Sequence, residues 1–295
     1  NLPPMVYVQQ PKDIEQLFDI QKRIKHFLKH VGVHESMNYS MVSKELIENM
    51  NLEVKHHLRL ANTISEELQY MRTSLLPSLV RNLKENQGKA DVLRFFEIAK
   101  VYYPQEKELP KEIYKVALAT NTSFMDLKGI VEALLTELRI DPSAGSGQAG
   151  YELRKAKIHT FSKNVVVDFV LNGSIFGSIG KLSTQLQHKN NLKSPAYLAS
   201  FDLISLMNHS KVISQYKPVN PYATIKLDLN IKSGKKSYEE MKKLSFASSD
   251  LLEKIELVDV YKDTLTLRFY FSSTKKNLTE AEAQKELHKI KSRFL

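Results

Sequence analysis

Apolar side chains recur three and four positions apart between residues 12 and 31, at Ile14, Leu17, Phe18, Ile24, Phe27, Leu28 and Val31. That spacing predicts one long helix with a single apolar face, stopped at Gly32. The stretch from Glu66 to Asn86 ends in a second helix, closed by Gly88. After it, Val92 to Tyr103 reads as a strand that Pro104 stops. A strand at Val116 to Thr120, a helix from Asp126 to Leu138, and strands around Val165 to Leu171 and Ile175 to Gly180 follow. Strands and helices mixed in this way predict an α+β domain built on an antiparallel sheet.

The pattern restarts at Tyr216. Ala223, Ile225, Leu227, Leu229 and Ile231 alternate with polar residues, which is the period of a half-buried strand, and Ser233-Gly234 makes a turn. Tyr238 to Lys254 reads as an amphipathic helix capped by Ser237, with Glu240 at the third helical position. Strands from Glu256 to Lys262 and from Leu265 to Ser273 flank a two-residue turn, Asp263-Thr264, and a last helix starts from Thr279 with Glu282 completing a capping box. The order β-α-β-β-α is the ferredoxin-like arrangement without its last strand, which would be short or missing because the chain stops at Phe294-Leu295. The chain thus reads as two domains, residues 1–210 and 211–295.

Composition narrows the chemistry. With 42% hydrophobic and 26% charged residues the chain has the make-up of a globular protein with a sizeable core. The absence of cysteine excludes disulfides, Cys-ligated zinc, iron–sulfur clusters and thiol nucleophiles. No apolar run approaches the ~18 residues of a membrane span. The start of the chain shows neither a signal peptide nor a basic presequence, so the expected location is the cytoplasm, with no membrane partner. A net charge of +10 suits a polyanionic partner, and residues 211–295 are the more basic part, with 17 Lys and Arg against 11 Asp and Glu.

Candidate catalytic arrangements are weak. His26 and His30 stand one helical turn apart, a metal-ligand spacing, but Phe27 and Leu28 lie between them, no carboxylate ligand accompanies them, and they read as part of a solvated basic helix face. No Gly-x-Ser-x-Gly elbow occurs. The run Asp141 to Gly150 is small, polar and Gly-rich, yet lacks the Lys-Ser/Thr pair of a phosphate-cradling loop and reads as a surface loop.

Seven collinear motifs, the first of them a pair of segments, carry more information. Arg72-Thr73-Ser74-Leu75-Leu76-Pro77 followed by Phe95-Phe96-Glu97-Ile98-Ala99-Lys100-Val101-Tyr102 resembles the paired signature of bacterial phenylalanyl-tRNA synthetase β subunits. Met37-Asn38-Tyr39-Ser40, Phe124 to Gly129 and Gly177 to Leu182 are similar to further segments of that family. Asn220-Pro221-Tyr222, Val258 to Tyr261 and Asn277 to Glu282 resemble its C-terminal ferredoxin-like anticodon-binding domain.

The resemblance implies a class II synthetase-like first domain that is catalytic-like but inactive. Class II sites hold ATP with arginines, because a planar guanidinium binds oxyanions bidentately. Here the second-motif strand ends Val101-Tyr102-Tyr103-Pro104, and after Gly177 to Leu182 no arginine follows until Arg268. The expectation is therefore no catalytic residue and no cofactor in this chain, with ATP and Mg held by a catalytic α subunit in an (αβ)2 assembly. Arg72 is then a structural anchor rather than an ATP ligand, and Glu97 is either a remnant catalytic carboxylate or one half of an internal or inter-subunit pair. The helix at 12–31 and the sheet around Phe95 to Tyr102 are expected to face the α subunit.

The same resemblance implies that residues 211–295 bind phenylalanine tRNA. Tyr222, Lys226, Arg268, Tyr270, Lys275 and Lys276 are the candidates, combining rings that stack on bases with cations that neutralise phosphates. Many members of the family carry Arg-Asp in the first strand of this domain, where this chain has Ile225-Lys226. Asn1-Leu2-Pro3-Pro4 resembles the end of the segment that precedes the catalytic-like domain, which implies a longer subunit. The alternative is a stand-alone RNA-binding or scaffold protein derived from the same fold.

Overall fold

The computed structural model describes residues 13–63, 65–106, 108–140, 150–211, 219–232, 236 and 238–294, with the backbone alone for 13–15 and 239. The opening Asn1 to Pro4, residues 141–149 of the Gly-rich run, the turn at 233–234 and the cap at 237 lie outside the described residues. The described residues form two compact units, one from 13–140 with 151–211 and the other from 219–294.

In the first unit, α1 (Asp13–His30) ends in a Schellman closure: Gly32 N–H donates to Lys29 O and Val33 N–H to Leu28 O, with Gly32 at φ +78°. Ile20, Ile24 and Leu28 are buried, with Leu17, Phe27 and Val31 packed beside them. Phe18 departs from the expected stripe and is 64% exposed, because the buried row runs through Ile20, Ile24 and Leu28, and Phe18 falls off it.

The chain continues through β1 (His34–Glu35), β2 (Met41–Val42), α2 (Lys44–Asn49), β3 (Tyr70–Met71) and α3 (Leu76–Asn86). It then runs through β4 (Arg94–Tyr103), β5 (Lys111–Thr120), α4 (Phe124–Glu137), β6 (Glu152–Lys155), β7 (Phe161–Leu171) and β8 (Ser174–Leu182). Next come α5 (Thr184–Lys189), β9 (Tyr197–Asp202) and α6 (Leu203–His209). Seven strands make one sheet in the order β1-β4-β5-β9-β8-β7-β6. It is antiparallel except where β1 runs parallel to β4, so the sheet is mixed at its edge. The hairpin between β7 and β8 turns on Asn172-Gly173, both at positive φ, as a tight two-residue loop requires.

Both faces of this sheet are covered. On one, α1, α4 and α6 bury Phe96, Val116, Leu118, Phe169, Ile179 and Phe201. On the other, α3 sets Leu76, Leu79, Val80 and Leu83 against Val101, Ala117, Ala119 and Leu198. Gly177 and Gly180 are needed for this closeness: a Cβ on Gly177 would stand 1.9 Å from the Phe201 ring, and one on Gly180 2.6 Å from Phe161. Their role is packing.

Beneath α3 lies one buried ion pair. Arg72 Nη1 donates to Glu97 Oε1 at 2.7 Å, and both side chains are 3% exposed. Nε donates to Lys100 O at 3.1 Å, and Nη1 also lies within reach of Asn38 O at 3.3 Å and Tyr39 O at 3.4 Å. Glu97 in turn accepts from Asn38 N at 3.3 Å and Asn38 Nδ2 at 2.9 Å. The backbone of Arg72 completes the knot, donating to Ser40 O and accepting from Tyr102 N, each at 2.9 Å.

In the second unit, β10 (Ile225–Lys232), α7 (Tyr238–Ser248), β11 (Leu252–Tyr261), β12 (Thr264–Phe271) and α8 (Glu280–Ser292) follow one another. The strands form an antiparallel sheet in the order β10-β12-β11, with a core of Met241, Leu252, Ile255, Leu267, Phe269, Phe271, Ala283 and Ile290. The helix expected to reach Lys254 stops at Ser248. The hydroxyls of Ser248 and Ser249 bond locally, to Leu244 O and from Leu251 N, which competes with helix continuation, and Leu252 then pairs with Phe271. The hairpin turn falls on Lys262-Asp263, one residue before the expected Asp263-Thr264, because Lys262 takes the positive φ (51°) and Thr264 pairs with Tyr261. The capping box at Thr279 and Glu282 forms as expected.

Two outcomes follow for stability. Arg72→Met leaves the Glu97 carboxylate buried without a cation, which costs about 3–5 kcal/mol and is read as a lowered midpoint in denaturant unfolding. Glu282 has its carboxyl pulled down to about 2 from its ordinary 4.5 by hydrogen bonds from Lys276, then from the Thr279 backbone and hydroxyl. Its stabilisation is complete above 4.5 and is lost as pH falls toward 2. Thermal melts of Glu282→Gln should therefore lie below those of the parent at neutral pH, and the two should converge through that acid window.

Candidate functional site

The three-stranded sheet of the second unit buries one face and presents the other. Along β10, Ile225, Leu227, Leu229 and Ile231 turn to the core while Lys226, Asp228, Asn230 and Lys232 are exposed. Register assembles cross-strand rows: Lys226 opposes Tyr270, which opposes Lys254, and Asp228 opposes Arg268, which opposes Glu256.

In the first row the Tyr270 ring lies between two ammonium groups, Lys226 Nζ at 5.6 Å and Lys254 Nζ at 5.3 Å from its centroid. Its hydroxyl donates to Glu256 at 2.5 Å, a bond that raises the phenol pKa. Glu256 is held below the usual carboxylate range by Lys254 and then by Tyr270. In the second row Arg268 grips Asp228 through two bonds of 2.7 and 2.8 Å, which lowers the Asp228 pKa and raises that of the guanidinium.

Of the six candidate residues, Lys226 and Tyr270 are in contact on the open face, and Arg268 is one row away but already paired. Tyr222 lies in the loop before β10 and Lys275 and Lys276 in the loop after β12. Ala223 N donates to Asn277 Oδ1 at 3.1 Å, which ties those two loops together at the same end of the sheet. Lys276 is engaged by Glu282 at 2.5 Å, whereas no side-chain partner of Lys275 occurs among the described residues. Lys254 was missed, because the helical reading ran through it; Ser248-Ser249-Asp250 was the sequence signal that a strand begins sooner.

In the first unit three arginines are engaged by other groups of the chain. Arg94 is clamped by Asp126 at 2.8 and 3.0 Å, Arg72 is engaged as above, and Arg23 donates to Glu137 O and Lys211 O. Tyr103, at the strand end where a class II arginine would stand, has its phenol pKa raised by burial and then by the charge of Asp202. His26 and His30 are exposed and stacked, with His30 Nδ1 at 2.5 Å from His26 O. Among the described residues no group of three His, Asp or Glu is placed to hold a metal ion, and no helix is long and apolar enough to cross a membrane. A cavity of about 740 Å³ runs along the outer side of α1, lined by Phe18, Lys22, Lys25, His34 and Phe96.

Comparison with known proteins agrees with this architecture. The chain is 25% identical over 296 residues to the phenylalanine–tRNA ligase beta subunit of Clostridium acetobutylicum, covering 94% of this chain and 36% of that protein. It is 27% identical over 288 residues to the beta subunit of Aster yellows witches'-broom phytoplasma, covering 91% and 34%. The chain thus spans about a third of the length of these relatives. Over 65% of this chain the fold is similar to that of pyrrolysyl-tRNA synthetase from Desulfitobacterium hafniense, at a TM-score of 0.51 and 16% identity over 68% of that chain. Residues 2–203 match the phenylalanyl-tRNA synthetase beta chain CLM domain, and the chain belongs to that family.

Proposed function

We propose that this chain is a non-catalytic part of a phenylalanine–tRNA ligase β subunit, which supports ATP-dependent charging by assembling with a catalytic α subunit in the cytoplasm and by holding phenylalanine tRNA. The observation that carries this reading is the state of the arginines on the synthetase-like sheet. Arg72 and Arg94 are both closed off by carboxylates of the chain itself, which leaves neither fork for ATP phosphates. Class II activation needs such a fork, so ATP and Mg belong to the α subunit in this account. The basic groove beside α1 is the surface assigned to that subunit.

Residues 1–210 are the catalytic-like domain and residues 211–295 the ferredoxin-like anticodon-binding domain. The strand order β10-β12-β11 with α7 and α8 supports the second assignment. Its open face suits single-stranded RNA: Tyr270 offers a stacking surface, and Lys226 and Lys275 supply cations. Tyr222, Arg268 and Lys276 border the same surface.

The chain alone is expected to give no phenylalanine-dependent ATP–pyrophosphate exchange above background, and exchange is expected to appear when the α subunit is supplied. Exchange by the chain alone overturns the non-catalytic reading. For tRNA, replacing Lys226, Arg268, Lys275 and Lys276 by Ala should weaken binding and flatten its salt dependence, each lost phosphate contact lowering the slope by about one. Removing the Asp228–Arg268 pair as Asp228→Asn with Arg268→Gln should barely move the slope, since that pair is already neutral. A quadruple variant with parental affinity at every salt concentration contradicts the assignment.

A further inference from the structure

Positive charge without matching carboxylates gathers at one edge of the seven-stranded sheet. Residues 1–210 hold 26 Lys and Arg against 22 Asp and Glu, a surplus of four, and residues 151–164 supply three of it, with Arg154, Lys155, Lys157 and Lys163 against Glu152. β6 is an edge strand that pairs with β7 alone. Past its end the chain folds back on itself. Phe161 N–H donates to Ile158 O and Ser183 N–H to Thr160 O, each at 3.0 Å, and Phe161 is buried. These ties pin the loop, so its cations are arranged before any partner arrives.

Arg154, Lys155, Lys157, His159 and Lys163 are all exposed. Arg154 gives one of its five donors to Glu152 at 3.1 Å. Lys155, Lys157 and Lys163 form no ion pair among the described residues. Other lysines of the unit do pair, Lys25 with Glu35, Lys100 with Glu112 and Lys128 with Glu132. A lysine on an edge strand deters unwanted strand pairing, which accounts for Lys155. Lys157 lies past the end of β6, and Lys163 lies where the register of β7 shifts, between Phe161 and Val166, so that reason does not extend to them.

None of the large apolar side chains exposed among the described residues falls between 151 and 165. The patch therefore lacks the aromatic or aliphatic anchor of a protein interface, where Lys is also depleted, and the apolar face that enters a membrane surface. Ammonium groups alone suit phosphates, which position a nucleic acid without reading its sequence. We infer that this loop holds the sugar–phosphate backbone of RNA, as a second, sequence-independent contact for the tRNA outside residues 211–295. The inference rests on the tRNA-binding reading above. Lys155, Lys157 and Lys163 each take a phosphate, with Arg154 beside them.

Changing Lys155, Lys157 and Lys163 together to Gln tests it, because the three exposed substitutions remove charge and leave the core untouched. The slope of log affinity for tRNA against log salt should become shallower by about two to three, so that raising salt from about 50 to about 200 mM costs the parent about 16- to 64-fold more affinity than the variant. The loss should be equal for phenylalanine tRNA and for another tRNA, since phosphates carry no sequence. In the parent, tRNA should also shield these three lysines from acetylation by acetic anhydride, a readout that needs no variant. A triple variant with the parental slope, or lysines acetylated equally with and without tRNA, overturns the inference. If the Lys226, Arg268, Lys275 and Lys276 variant still binds tRNA more weakly than the parent, the tRNA reading stands and this contact alone falls, whereas a parent that binds no tRNA overturns both. Displacement of tRNA from the loop by polyglutamate as effectively as by RNA of equal charge makes it a site for acidic protein and likewise overturns the assignment.

Discussion

The buried pair of Arg72 and Glu97 is the constraint on which the first unit depends. A lone guanidinium or carboxylate at 3% exposure would be prohibitively desolvated, so each requires the other and a full set of hydrogen bonds. Their geometry supplies both. The backbone carbonyls of Asn38, Tyr39 and Lys100 and the side chain of Asn38 add further hydrogen bonds, so that one charge pair joins the segment after β1, the turn before α3 and the middle of β4. With that corner fixed, α3 lies over the sheet and its leucines cover one of its faces. The residue that looks most like a ligand-binding group in the sequence is thereby what closes the fold.

Much of this was legible beforehand, and the failures have physical causes. The helical stripe of α1, the Gly32 stop, the α3 helix and the capping box of α8 were readable because each is a local signal. Phe18 was misplaced because an apolar residue one position off the stripe cannot be told from one within it by count. The end of α7 was missed because serine hydroxyls and strand pairing with β12 outcompeted a continuous amphipathic pattern. Central strand β9 was not foreseen at all: Tyr197 to Asp202 is short, and only its pairing with β5 and β8 makes it a strand. The partner of Glu97 was left open between internal and inter-subunit, since residues 25 positions apart give no hint of contact until the sheet exists.

The six candidate RNA residues show what sequence cannot supply, namely which charges are already neutralised. Residue type alone ranked Arg268 with Lys226. Cross-strand register separates them, giving Arg268 a carboxylate opposite and Lys226 an aromatic ring. At this surface a basic total charge thus resolves into Lys226 beside Tyr270 and Lys275 in the loop after β12, and the +10 of the whole chain overstates the attraction at any one spot.

The claim that Arg72 serves the fold rather than a ligand is tested most directly by a double-mutant cycle of Arg72→Met, Glu97→Leu and the double variant in equilibrium unfolding. The account requires strong coupling, of order 1–3 kcal/mol, with the double variant less destabilised than the sum of the singles because it leaves no unpaired buried charge. Additive effects of the two substitutions, with coupling near zero, would contradict it.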